Sequence, residues 1–165
     1  MQGSASRPGH PALREGLMFG TILGIFEIVS GLLQNFFGLH SLNTVFSVMF
    51  FVLTIALNLL AGVHASQQTG RVSTGAFAGL IVELISSVFG SVNILAEIFV
   101  FDTILHRWLL QATSGQAQQF NTNQFVTFVI AEIIIGFVVM PLLGAVIGAI
   151  GGLIGRRRAL LPMQI

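Results

Sequence analysis

Three glutamates sit inside words built almost wholly of apolar residues: Glu27 in GIFEIVSG (24–31), Glu83 in GLIVELISS (79–87) and Glu132 in VIAEIIIG (129–136). A carboxylate can exchange a proton or hold a cation, and within a bilayer it is costly enough to mark a bundle interior or an aqueous cavity. The usual companion of a buried carboxylate is an arginine or lysine. None occurs in these apolar runs, because all seven basic residues are arginines placed in termini and loops. A carboxylate so placed is neutral and hydrogen-bonded, faces water or holds a cation.

Two readings follow. In the first, Glu27, Glu83 and Glu132 form a staggered path that exchanges or conducts protons or small cations. Glu97 lies nearer the outer boundary of that path, with Asn58, Asn43 and Asn93 as polar neighbours. In the second, protonated glutamates bond to serines, asparagines and carbonyls on neighbouring helices and fix helix register. Such contacts contribute about 0.6–2 kcal/mol each. The chain is then a non-catalytic structural or accessory subunit that self-assembles or joins a larger membrane complex.

Other chemistry has little to stand on. There is no cysteine, which removes disulfides, thiolate nucleophiles and thiolate-bound metals. No glutamate is followed three residues later by histidine, so the Glu-x-x-His pair of di-iron bundles is missing, as are H-E-x-x-H and G-x-S-x-G. His40, His64 and His106 fall at or beyond expected helix ends and read as interfacial residues. Asp102 and His106 are four apart and could share a proton or a metal. No enzyme, cofactor or metal centre is expected. With no lysine-rich arm, nucleic acid is not an expected partner either.

The elements that position these residues follow from composition. Hydrophobic residues make up 54% of the 165 and charged residues 8%, against roughly a quarter charged in an ordinary soluble domain. Too few polar residues remain to solvate a surface. The expected fold is all-α: a polytopic membrane protein, a four-transmembrane-helix bundle with glycine-rich helix packing. Four apolar stretches reach the length of about 20 residues that crosses a bilayer, near 16–38, 42–63, 73–95 and 124–154. Residues 1–15 form a polar tail with no signal-peptide character, 16–155 the single transmembrane domain, and 156–165 a basic tail. GLHS turns the first pair into an antiparallel hairpin, and HASQQTGRVST joins the second helix to the third. The third stretch is too long for one span. It either projects beyond the membrane or breaks near Gly90–Ser91, leaving 93–111 at the interface, with 96–111 as an interfacial helix.

With four spans, both termini and the 64–72 connection share one side, which carries Arg7, Arg14, Arg71, Arg156, Arg157 and Arg158 against Arg107 alone on the other. The positive-inside bias then places both termini in the cytoplasm. It makes Arg156–Arg158 the topology and lipid anchor, and Trp108 a member of the outer aromatic belt. At about 100° per residue, Gly16, Gly20, Gly24 and Glu27 share a face, as do Gly75, Gly79, Glu83 and Gly90. Small-residue stripes of this kind let helices approach closely, and the first three helices are expected to pack stripe to stripe. Beyond Pro141, which kinks the fourth helix, Gly144, Gly148, Gly151 and Gly155 gather opposite Glu132. That face is expected to serve a homo-oligomer, unless the kink turns it back into the same chain. FEIVSG (26–31) and VELISS (82–87) hint at a short parallel repeat. AEIIIG (131–136) is similar to the word around the membrane glutamate of the small multidrug-resistance transporters, also four-helix proteins. The likeness covers six residues and sits in the last helix, whereas that family carries its word in the first, and the chain is not assigned to it.

Overall fold

A computed structural model describes residues 10–36, 39–99, 127 and 130–159. Trp108, Arg107 and the Asp102–His106 pair lie outside the described residues, as do the side chains of Glu97 and Arg158. The described residues are helical, without a strand, and four helices are long and apolar enough to cross a membrane: Pro11–Gln34, Asn43–Thr69, Val72–Ala96 and Ile130–Arg157. The expected all-helical, four-span bundle is what forms.

Helix α1 (Pro11–Phe36) opens on a proline, whose missing N–H costs nothing in a first turn and whose φ is already helical. The His10 carbonyl accepts from the Leu13 and Arg14 amides at 2.9 and 3.2 Å. A short 3-10 turn (Leu39–Leu42) leads into α2 (Asn43–Thr69). Gly70 ends α2 at φ 68°, a left-handed conformation open to glycine, and returns its N–H to the Ser66 carbonyl at 2.8 Å. Helix α3 (Val72–Phe99) begins at once. The expected connector HASQQTGRVST is therefore mostly helix, and only Gly70 and Arg71 join the two elements. Its polarity ends neither helix. The hydroxyls at this boundary bond back to the chain: Thr69 Oγ1 to the Ala65 carbonyl at 3.1 Å and Ser66 Oγ to the Arg71 carbonyl at 2.9 Å. Helix α3 also runs unbroken through Gly90–Ser91, so no break occurs there.

The last span is regular over 130–134, widens to a π turn over Ile135–Val139 and continues as α4 (Met140–Ala159). The Met140 N–H reaches the Ile135 carbonyl, five residues back. In the same pattern the Gly136 carbonyl would look to residue 141, which is proline and has no N–H. Ser87 Oγ of α3 donates to that carbonyl instead. The proline's effect is thus a widened turn whose orphaned acceptor is satisfied from the neighbouring helix.

Packing is glycine-dominated, and the expected stripe-to-stripe contact is found in part: Glu27 and Gly31 of α1 meet Gly90 and Asn93 of α3, and Asn58 of α2 meets Glu83. Helix α1 lies against α3 and α2, and α4 against α3 and α2. The α1 glycines receive large α3 side chains: a Cβ on Gly16 would meet Ile81 at 2.6 Å, and one on Gly20 would lie 2.8 Å from Ile85 and from the Val82 carbonyl. Gly24 abuts Phe89. The α3 stripe serves two neighbours in turn. Gly75 and Gly79 meet Gly144, Gly148 and Gly152 of α4, while Gly90 meets Glu27 of α1. Gly151 and Gly155 press on Leu59 and Val63 of α2, and Gly62 on Gly148. The α4 glycine face expected to stay free for an oligomer is therefore occupied within the chain. Past the π turn the helix presents that face to α2 and α3.

Candidate functional site

The α3 stripe turns from α4 toward α1 near Glu83, and there the three helices separate enough to leave a groove. Glu27 of α1, Glu83 of α3 and Glu132 of the last span all line it, in a volume of about 240 Å³. Ser86 and Ser87 add hydroxyls, while Phe50, Ile133, Phe137 and Met140 make the walls largely apolar. Among the described residues, none that lines it is basic. The three carboxylates chosen from sequence are thus brought to one cavity, with unequal exposure: Glu132 is exposed, Glu27 half-buried, and Glu83 buried.

Glu83 is the anchored member. It is 2% exposed, and Asn58 of α2, at 0% exposed, donates to its Oε1 through Nδ2. The same nitrogen donates to the Thr54 carbonyl at 2.8 Å. Gly144 packs on the Glu83 side chain from α4. The amide oxygen Asn58 Oδ1 and the Thr54 hydroxyl are buried without a hydrogen-bond partner. Ser86 Oγ stands 3.5 Å from Glu27 Oε2, a long contact.

Glu27 also borders a second cavity of about 310 Å³, lined by Ser30, Gln34, Asn43, Ser47 and Asn93 at the end of the bundle where α1 turns into α2. Glu27 therefore borders both cavities. Below Glu83, toward the α2–α3 turn, the glycine contacts bring the backbones of α3 and α4 together. Glu97 belongs to the last turns of α3, and its side chain lies outside the described residues. Arg156 and Arg157 are exposed near the end of α4.

One carboxylate was missed from sequence. Glu15, assigned to the polar tail, lies within α1 and is 4% exposed. Arg14 donates to its Oε1 at 2.6 Å and Gln68 of α2 at 3.2 Å, with His64 Nδ1 3.5 Å from Oε2. The available signal was its spacing, since Ala12, Glu15, Gly16, Phe19 and Leu23 follow the helical period and are all buried. Among the described residues, no group of three or more His, Cys, Asp or Glu is placed to hold one metal ion. The chain matches no protein-family model, no curated protein and no solved structure, so any functional reading rests on the geometry of this groove.

Proposed function

We propose that the groove binds and exchanges protons or small cations across the membrane, with Glu27, Glu83 and Glu132 as its acidic groups. One observation carries this: carboxylates from three helices line one cavity in which, among the described residues, there is no basic side chain. A purely structural glutamate needs one partner on one neighbouring helix and gains nothing from sharing a cavity with two others. The polar cavity above Glu27 gives the groove a route to one face of the bundle. The arginine distribution makes that face the outer one, with both termini cytoplasmic. Purified protein in liposomes is expected to move protons or monovalent cations in a pH-dependent way, and Glu27→Gln, Glu83→Gln and Glu132→Gln to reduce or abolish that flux. Wild-type liposomes that pass neither protons nor inorganic nor organic cations would defeat the proposal.

The Asn58–Glu83 bond favours a second reading, a non-catalytic subunit in which the glutamate fixes the register of α2 on α3. Self-association or joining a larger complex then uses the apolar surfaces of the bundle, since the α4 glycines are engaged internally. In that case Glu83→Gln leaves flux unchanged at the background of empty liposomes.

A further inference from the structure

We propose that Glu83 is a proton-specific site whose exchangeable proton sits on Oε2, and that Asn58 is the positioning residue that keeps Oε1 an acceptor. This rests on reading the groove as an exchange path and narrows what the path carries.

The orientation of Asn58 is the first step. Its Nδ2 lies 2.8 Å from the Thr54 carbonyl, which can only accept, so the nitrogen end of the amide must face that way. The same nitrogen donates to Glu83 Oε1. Both amide hydrogens are then committed, and Oε1 must accept whether or not Glu83 carries a proton. A proton on Glu83 therefore sits on Oε2, the oxygen left for the groove.

Ligand number is the second step. Hard metal cations gather about six or more oxygens. Around Glu83, Oε1 already carries an N–H donor, and among the described residues no three carboxylates or imidazoles come together to share one metal ion. Asn58 Oδ1, though unpartnered, is the opposite end of the amide from Glu83 and lies 3.1 Å from where a Gly144 Cβ would stand. A proton needs one oxygen, and Glu83 Oε2 is the carboxyl oxygen that Asn58 does not hold. Among the described residues, the titratable groups that share the groove with Glu83 are Glu27 on α1 and Glu132 on the last span. Helices α2 and α4 bring Asn58 and Gly144 against it, their own titratable residues among those described, His64 and Arg156–Arg158, lying toward the opposite end. In the transfer step the Oε2–H bond breaks, its electron pair stays on Oε2, and the proton passes to water or to the Glu27 carboxylate.

The test is infrared spectroscopy of the full chain in liposomes, following the carbonyl band of a protonated carboxyl assigned by its loss in Glu83→Gln. The band is expected to titrate reversibly, with the same midpoint in sodium, potassium and choline chloride. Asn58→Leu, or Asn58→Ser if the leucine variant does not fold, should move the midpoint. Thr54→Val, which keeps the carbonyl and removes only the unpartnered hydroxyl, should not. A midpoint that shifts as sodium or potassium is raised tenfold, or that moves in Thr54→Val, overturns the proposal in favour of a metal cation. A band that never titrates overturns it in favour of a fixed hydrogen bond. Titration without liposome flux supports the proton site while defeating the path on which it was placed.

Discussion

Glu15 and Glu83 are both buried carboxylates, but their surroundings differ. Glu15 has a guanidinium, an amide and an imidazole within 3.5 Å, and two of those three belong to α2. Its role is to tie the start of α1 to the end of α2. Removing it with Glu15→Ala is expected to lower stability by about 1 kcal/mol, in the range of single interhelical polar contacts, as measured by unfolding in mild detergent. Arg14→Ala should change little, because the arginine side chain is 72% exposed and an ion pair to so exposed a partner is screened by solvent. Glu83 has an amide donor and, among the described residues, no basic group in its cavity. The sequence sets Glu83 in an apolar run and Glu15 beside Arg14 at the edge of the polar tail. Which neighbour each meets depends on a residue 53 positions away in one case and 25 in the other.

At the scale of the element, Ser87, Gly136 and Pro141 act together. The proline removes a donor, the π turn redirects the ladder, and the serine hydroxyl accepts the task of satisfying the Gly136 carbonyl. Ser87→Ala should therefore leave a carbonyl without a partner at a cost of about 1–3 kcal/mol. In a Pro141→Ala background, which restores an N–H to the helix, the same substitution should cost measurably less. A double-mutant cycle read by detergent unfolding checks this, and additive effects would show that the two residues are not linked. Pro141 was legible in sequence as a disturbance of the last helix. The π turn beside it was not, because the donor that satisfies the Gly136 carbonyl stands on α3, 49 residues away.

For the whole molecule, close approach is the organising feature. Gly148 faces Gly75, Gly79 and Gly62 at once, and a Cβ there would lie 3.0 Å from the Gly79 Cα, with only backbone able to give way. Gly136, in contrast, has Ser87 Oγ at 3.6 Å as its nearest would-be contact, which is ordinary van der Waals distance. Gly148→Ala is expected to destabilise the bundle by about 1–3 kcal/mol or more, while Gly136→Ala should be tolerated within about 0.5 kcal/mol. Comparing their detergent unfolding with that of the wild type tests the difference. Equal loss in both would mean that the glycine seam between α3 and α4 is not what holds the fold.

Composition and apolar run length determined the number of spans and the helical class, because a bilayer core leaves unpaired backbone groups no alternative. Angular periodicity also placed Glu83 correctly on the face with Gly75 and Gly79, since that depends only on helix geometry. Helix ends were less legible: polar residues at 11–15 and 64–69 continue their helices beyond the apolar run, because an α-helix does not stop where lipid does. Partner choice was decided by the tertiary structure alone. A glycine stripe accepts another stripe or a large side chain equally well, so nothing in α1 by itself selects Ile81, Ile85 and Phe89. Nor does α4 by itself show that its glycines turn inward. Those matches come from three helices filling one volume together, and the groove that gathers Glu27, Glu83 and Glu132 is where that filling leaves space.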